Sequence, residues 1–466
     1  MMKSITQNSQ TDKRMTLLCV SKSKFKQLLI ICYNTTYKQM TKPRKQKMNK
    51  QDFNEGLLGF LDASPTPFHA THNMAMMLEN AGFVQLIEKQ KWKLKKGNKY
   101  YVTRNDSSLI AFTYPKDSDY MMVGCHTDSP NLKLKPNPVI KEHGVVKFAV
   151  QPYGGLLLNP WFDRDLSLAG KVSYLNAQDE IKETLIDVQK SIAIIPSLAI
   201  HLDKKANEDR TVNKQTDISP ILSTNDDFEF EDFIRWQLEK NEIRDVKELY
   251  ASELSLYTTQ KASYVGLRDD FIASARLDNL LSCYVGLLTL CSVDTEEPML
   301  LIASDHEEVG SRSSSGAGGS FLENTLTRMY PDYDDYMHMI RTSIMISADN
   351  AHALHPNYAD KHDKNHSPYI NKGTVIKVNA NQKYASNTTS ISKFMHAANK
   401  AGEAYQQFVT RSDMGCGSTI GPITATRLGI ETLDIGLPTY AMHSIRELAG
   451  ADDAYSLYKI LLGWRD

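Results

Sequence analysis

The chain has 466 residues, 41% hydrophobic and 23% charged, with a formal net charge of −1. That length predicts two or three domains with ample apolar material for a core, and the near-zero charge gives no basis for a nucleic-acid or membrane partner. Cys19, Cys32, Cys125, Cys283, Cys291 and Cys416 contain no CxxC pair, which fits reduced thiols in a cytoplasmic protein better than a disulfide framework.

The first fifty residues hold 12 Lys or Arg against one acid, Asp12, a net +11 that leaves −12 on the remainder. Such a segment reads as a disordered tail. Its longest apolar run, Leu28 to Cys32, is shorter than a signal-peptide core and far from the roughly 20 residues that span a bilayer. Residues 1–47 are expected to be a basic extension with Met48 as the functional start; a basic targeting peptide is the other reading.

From Met48 a helix is expected over Asp52–Asp62, ended by Ser64-Pro65-Thr66-Pro67, and a second over His69–Ala81 from the helical spacing of Met74, Met77 and Leu78. Lys91–Tyr114 reads as a meander of strands. Met121–Cys125 is a continuous apolar run, as expected of a strand buried on both faces, and leads into His126-Thr127-Asp128. Beyond Pro130 the character changes. Short β-like pieces at 145–150, 168–174 and 190–195 surround a long polar loop, Asp203–Asp227, and a helix is expected over Phe228–Leu238. The simplest organisation is a β-rich domain, 131–261, inserted into an α/β domain made of 48–130 and 262–466.

In the second part, Asp278 opens an apolar stretch long enough for a buried helix and is placed in its first turn, where a carboxylate suits the helix dipole. Met299–Ala303 runs into Asp305-His306-Glu307-Glu308-Val309-Gly310, Ile344–Ala348 into Asp349, and Thr432–Pro438 into His443. Ser311–Ser320 resembles a linker by composition and a mobile active-site loop by position. Lys372–Val378 reads as a strand, Thr389–Lys400 as a helix, and Ser412–Thr419 offers glycines that let a ligand approach.

Ligands of open α/β sheets sit past the carboxyl ends of parallel strands, so these strand ends are expected to converge. Adjacent carboxylates in an apolar setting require a cation or a shared proton. On extended backbone Glu307 and Glu308 would point to opposite sides, one to a metal and the other to a water as general base. Two His and three carboxylates from separate elements form the donor set of a two-zinc hydrolytic site.

Five motifs, His126-Thr127-Asp128-Ser129-Pro130, Ala275-Arg276-Leu277-Asp278-Asn279, Glu307-Glu308-Val309-Gly310, Ser347-Ala348-Asp349 with His352 and His355-Pro356-Asn357-Tyr358, and Ala441-Met442-His443-Ser444-Ile445-Arg446-Glu447, together resemble the aspartyl aminopeptidase family of zinc metallopeptidases, which includes the vacuolar aminopeptidase I type. The likeness extends over residues 50 to 466. It implies a phosphorylase/peptidase-like α/β sandwich catalytic domain, with the inserted β-rich, barrel-like domain forming dimers of a homododecamer. It further implies that Asp278 bridges two Zn2+ ions, one completed by His126 and Asp349, the other by Glu308 and His443, with Mn2+ or Co2+ as possible occupants. Glu307 would be the general base and Asp128 would orient His126. The implied substrates are peptides with a free acidic N-terminus, Asp or Glu.

Lys377 is the candidate cation for the acidic side chain, and a surface strand lysine is its bland alternative. His352 and His355, three apart, either bind substrate or metal or serve structurally. His201, by resemblance, completes a neighbouring subunit's site. Two other functions remain at this point: a neutral-specificity di-zinc aminopeptidase or deacylase, and an oligomeric assembly or cargo protein with a vestigial site.

Overall fold

In chain order the elements are α1 (Lys50–Ala63), α2 (Pro67–Asn80), β1 (Val84–Gln85), β2 (Asn98–Arg104), β3 (Ser108–Tyr114), β4 (Met121–His126), β5 (Asn131–Glu142), β6 (Val145–Tyr153), β7 (Leu166–Asn176), β8 (Ile181–Asp187), β9 (Ile221–Ser223), α3 (Phe230–Lys240) and β10 (Val246–Thr258). There follow β11 (Ser263–Val265), β12 (Phe271–Ser274), α4 (Leu277–Ser292), β13 (Met299–Ser304), α5 (Phe321–Met329), α6 (Tyr333–Thr342), β14 (Ile344–Ala348), β15 (Ala351–His352), β16 (Thr374–Lys377), α7 (Thr388–Ala401), β17 (Tyr405–Phe408), α8 (Ile420–Leu428), β18 (Glu431–Gly436), β19 (Pro438–Tyr440), β20 (Glu447–Gly450) and α9 (Asp453–Leu462). The structure, a computed structural model, describes residues 48–117 and 119–464. The expected basic extension, 1–47, lies outside the described residues. Two units partition the chain, Met1–Asp52 and Phe53–Asp466, and the second carries every element after α1.

Nine strands form the largest sheet, in the order β1-β2-β3-β13-β4-β14-β18-β16-β17. Its centre, β13-β4-β14-β18, is parallel throughout, and β13, β4 and β14 carry the apolar runs of the sequence because both their faces are covered, whereas β18 includes the buried Asp434. Covering comes partly from α4, in which Leu277 through Leu290 are all buried, as expected of a helix apolar all round. Local signals set the helix ends. Thr66 caps α2 by accepting from the His69 N–H, with Pro67 in the first turn; Asn387 and Ser390 form a capping box on α7, which Gly402 ends in left-handed conformation.

A second sheet, β8-β7-β10-β5-β6-β9, is antiparallel and drawn entirely from residues 131–258. Leu132, Phe148, Trp161, Leu168, Leu254 and Leu256 are buried in its own core, which Ile445 also enters. The stretch 190–195 forms isolated bridges here, not a full strand. A third sheet, β11-β12-β20-β19-β15, has strands too short for the sequence pattern to announce. Among the described residues no helix is long and apolar enough to cross a membrane. The architecture is mixed α/β with several sheets.

Candidate active site

The four central strands end at one edge. Ser304 of β13 pairs with His126 of β4, and Ala348 of β14 pairs with Ile435 of β18. Glu307 and Glu308 follow β13, Asp349 follows β14, and His443 lies in the turn between β19 and β20. Asp278 reaches the edge from the start of α4, differently from the expected first helical turn. Its φ of −83° and ψ of 105° are not helical, and its N–H donates to Glu447 Oε2 at 2.9 Å. The buried Glu447 carboxylate, which also accepts from the His443 N–H at 2.7 Å, takes up an N–H that has no acceptor within the helix and ties the two segments together.

The Asp278 carboxylate divides its two oxygens. His126 Nε2 is 3.3 Å from Oδ1 and 3.6 Å from Asp349 Oδ1; His443 Nε2 is 3.4 Å from Asp278 Oδ2 and 3.4 Å from Glu308 Oε2. Donor atoms of His126, Asp278 and Glu308 lie within 4.8 Å of one another. Asp278 Oδ1 and Glu308 Oε1 are buried without a hydrogen bond, the approach of His126 being one of distance and not of alignment. Buried acceptors with no donor are costly unless a cation meets them.

The electrostatics of the cluster show the same demand. Burial works to lower His126 and His443, but the carboxylates hold His126 well above the usual histidine range and His443 at about 10. Burial works to raise Asp278, yet the two histidines hold it below the ordinary carboxylate range. Glu308 is pushed up by burial and then by Asp278. A histidine ligates a metal only as the neutral ring, so uptake of a cation here would release any proton that the two rings carry. A neutral-imidazole and carboxylate donor set of this kind suits zinc.

Residues 60–464 match the family model described as aminopeptidase I zinc metalloprotease (M18). The chain belongs to the M18 family of zinc metalloproteases. A probable M18 family aminopeptidase 2 of Pseudomonas aeruginosa (strain UCBPP-PA14) is 51% identical over 420 residues, 88% of this chain and 97% of the relative. A second, from Pseudomonas putida (strain GB-1), is 52% identical over 417 residues, 88% of this chain and 96% of its own length. Among solved structures, a chain of the Ape4 and Nbr1 complex superposes with a TM-score of 0.85 at 34% identity, covering 89% of this chain and 85% of that one. The S. cerevisiae mApe1 dodecamer superposes at 0.77 with 28% identity, over 90% of this chain and 98% of its own.

Glu307 and Glu308 in this M18 chain lie in a one-turn 3₁₀ helix, Glu307–Val309, entered through His306 at φ 62°, and not on the extended backbone expected of them. The reason is Asp128. Its buried carboxylate accepts from the Glu307 N–H and the Glu308 N–H, each at 3.1 Å, and pulls the chain into a turn. His126 Nδ1 is 3.0 Å from the main-chain oxygen of Asp128 and 3.4 Å from Oδ1, so the backbone carbonyl is the nearer orienting group. Burial first, then the Asp349, Asp278 and Asp128 carboxylates, push Glu307 up to about 7 against the pull of His126.

Lys377 ends β16 with only 3% of its surface exposed. Its Nζ is 3.5 Å from Asp349 Oδ2 and 5.5 Å from the centre of the Tyr384 ring. His352 keeps an exposed edge, although crowding and then the Lys377 ammonium lower its pKa. His355 is half-buried and packs on Tyr358 and Tyr440, with ring centroids 4.9 and 5.6 Å away. His201 sits in an exposed turn closed by Leu202 N–H to Ala199 oxygen at 2.8 Å, and makes none of the cluster's contacts. The Ser311–Ser320 segment is cross-bonded: Gly318 N–H donates to Ser311 oxygen at 3.1 Å, and the Ser315 carbonyl accepts from Asp305 N–H and the Ser108 hydroxyl. The glycine-bearing stretch 412–419 ends at Thr419, whose hydroxyl donates to buried Asp434 at 2.6 Å.

Gly436 packs behind this site. A Cβ there would stand 2.1 Å from the Asp349 carbonyl oxygen and 2.9 Å from Lys377 Cε. Gly436→Ala is expected to cost about 1–3 kcal/mol or more, because backbone must move. Thermal melting and zinc analysis together check this: a lower melting temperature with weakened zinc retention is expected, and a variant that matches the parent in both contradicts the packing account.

Proposed function

We propose that the protein is a cytoplasmic aminopeptidase that removes N-terminal Asp or Glu from peptides at a site holding two zinc ions. Supporting this above all is the division of the Asp278 oxygens between His126 with Asp349 and His443 with Glu308, the arrangement expected of a bridging carboxylate. Two zinc ions, when bound, supply Lewis acidity to the scissile carbonyl and lower the pKa of the attacking water.

The chain's own groups do the rest. Glu307 takes a proton from the attacking water, holds it on its carboxyl, and returns it to the leaving amine nitrogen as the peptide bond breaks. Asp128 keeps Glu307 and Glu308 in place through their amides and, with its own carbonyl, sets the His126 ring. Lys377 faces the side-chain carboxylate of the terminal residue; His352 and His355 contact the substrate near it. His201 reaches the site of a neighbouring subunit in a homododecamer built from dimers through residues 131–261. The similar S. cerevisiae mApe1 structure is a dodecamer.

Zinc analysis by mass spectrometry tests the site: two ions per chain are expected, and one or none contradicts the reading. Removal of zinc should also lower the melting temperature. Each site at a free zinc concentration 100 times its Kd contributes about 2.7 kcal/mol, all lost on chelation, so a melting curve indifferent to chelator would speak against both sites.

A further inference from the structure

The segment after β6 belongs to the six-stranded sheet, yet it makes contacts that none of the steps above uses. Tyr153 ends β6, and its hydroxyl donates to Asp128 Oδ2 at 2.6 Å. The carboxylate that receives the Glu307 and Glu308 amides is thereby tied to a different sheet. Gly154 follows at φ +73°, and a Cβ there would stand 3.1 Å from Glu308 Cβ. The Gly155 carbonyl oxygen lies 3.1 Å from His443 Nδ1, and the Leu157 N–H donates to the His443 carbonyl at 3.1 Å.

Each contact has a chemical consequence. A histidine that offers Nε2 to a metal carries its proton on Nδ1, and an acceptor there fixes both tautomer and ring orientation. Gly155 is that acceptor for His443. His443 itself has φ 67°, a left-handed conformation that a non-glycine residue keeps only when its surroundings hold it, and Leu157 holds it from the carbonyl side. Burial and then Asp128 keep the Tyr153 phenol protonated, so it is always a donor. Residues 153–157 thus hold His443 at both ends and the carboxylate beneath the Glu307–Glu308 turn, and at Gly154 they leave Glu308 only the room that a missing side chain gives. His126 does not depend on them in the same way, because its nearest partner is the Asp128 main-chain oxygen.

We propose that the Tyr153–Leu157 segment, supplied by the six-stranded sheet, sets the affinity of the zinc ion on the Glu308–His443 side, with Tyr153 and Gly155 as positioning residues. This rests on the two-zinc reading. Partners of this kind typically change metal affinity 10–100-fold.

The test is a competition titration of the full chain between Zn2+ and a chromophoric chelator, on the parent, Tyr153→Phe and Gly154→Ala. Tyr153→Phe keeps the ring and its place 5.0 Å beneath Lys133 Nζ and removes only the hydroxyl. The expected result is that one zinc equivalent weakens roughly 10–100-fold while the other is unchanged, and that Gly154→Ala weakens the same equivalent. Unchanged affinities in Tyr153→Phe, with or without a lower melting temperature, would overturn the inference. Equal weakening of both equivalents would overturn the assignment to one side. A parent that binds fewer than two zinc ions would instead overturn the two-zinc reading itself.

Discussion

Glu307→Gln is expected to lower kcat by roughly 10²–10⁴-fold, the span of general acid–base catalysis, while the zinc content stays at the parent level. Two features separate Glu307 from its neighbour. Glu308 Oε2 is 3.4 Å from His443 Nε2 and its other oxygen is buried without a partner, whereas Glu307 faces the cluster without joining the Asp278 contacts. Gln is of the same size, and the Glu307 N–H that donates to Asp128 Oδ1 at 3.1 Å belongs to the backbone, so the turn survives the change. What is removed is the carboxylate that takes up and returns the proton. Zinc loss in this variant would make Glu307 a ligand and leave the base unassigned.

Lys377→Ala is expected to lower kcat/KM for Asp and Glu substrates by roughly 30- to 5,000-fold, since truncating one partner of a buried charge pair costs about 2–5 kcal/mol. Leu substrates should lose far less. The lysine also lies 3.5 Å from Asp349 Oδ2, and its removal leaves that carboxylate with one cation fewer, which affects every substrate alike. Comparison of acidic with neutral substrates separates the two effects. Equal losses across the series would assign Lys377 to Asp349 alone and end its role as selector.

The strand ends were legible because burial leaves a one-letter trace. Met121–Cys125 and Met299–Ala303 are apolar throughout and Ile344–Ala348 is interrupted only by Ser347, and a His, Asp or Glu close after such a run has little structural reason to be there. That reasoning brought His126, Asp349 and the Glu307–Glu308 pair to one edge, where the structure also places them. It misjudged their backbone. Asp278 is not helical and Glu307–Glu308 is a 3₁₀ turn; their N–H groups go to the Glu447 and Asp128 carboxylates, and a tertiary acceptor has no local signature. Glu447 stood in a quoted motif without a role. Tyr153 gave no signal at all: its partner Asp128 is 25 residues away, in the loop past the end of β4, a strand of a different sheet. The Ser311–Ser320 stretch shows the converse, a composition typical of a flexible linker in a loop whose small residues instead permit close backbone hydrogen bonds.

Activity of one preparation in three metal states tests the central claim most directly. Chromogenic aminoacyl substrates of Asp, Glu, Leu and Lys are offered to protein as purified, after chelation, and after chelation followed by zinc. Turnover that favours Asp and Glu, vanishes with the chelator and returns with zinc is the predicted result. Turnover that persists unchanged after complete zinc removal, or fails on every substrate in all three states, would contradict it.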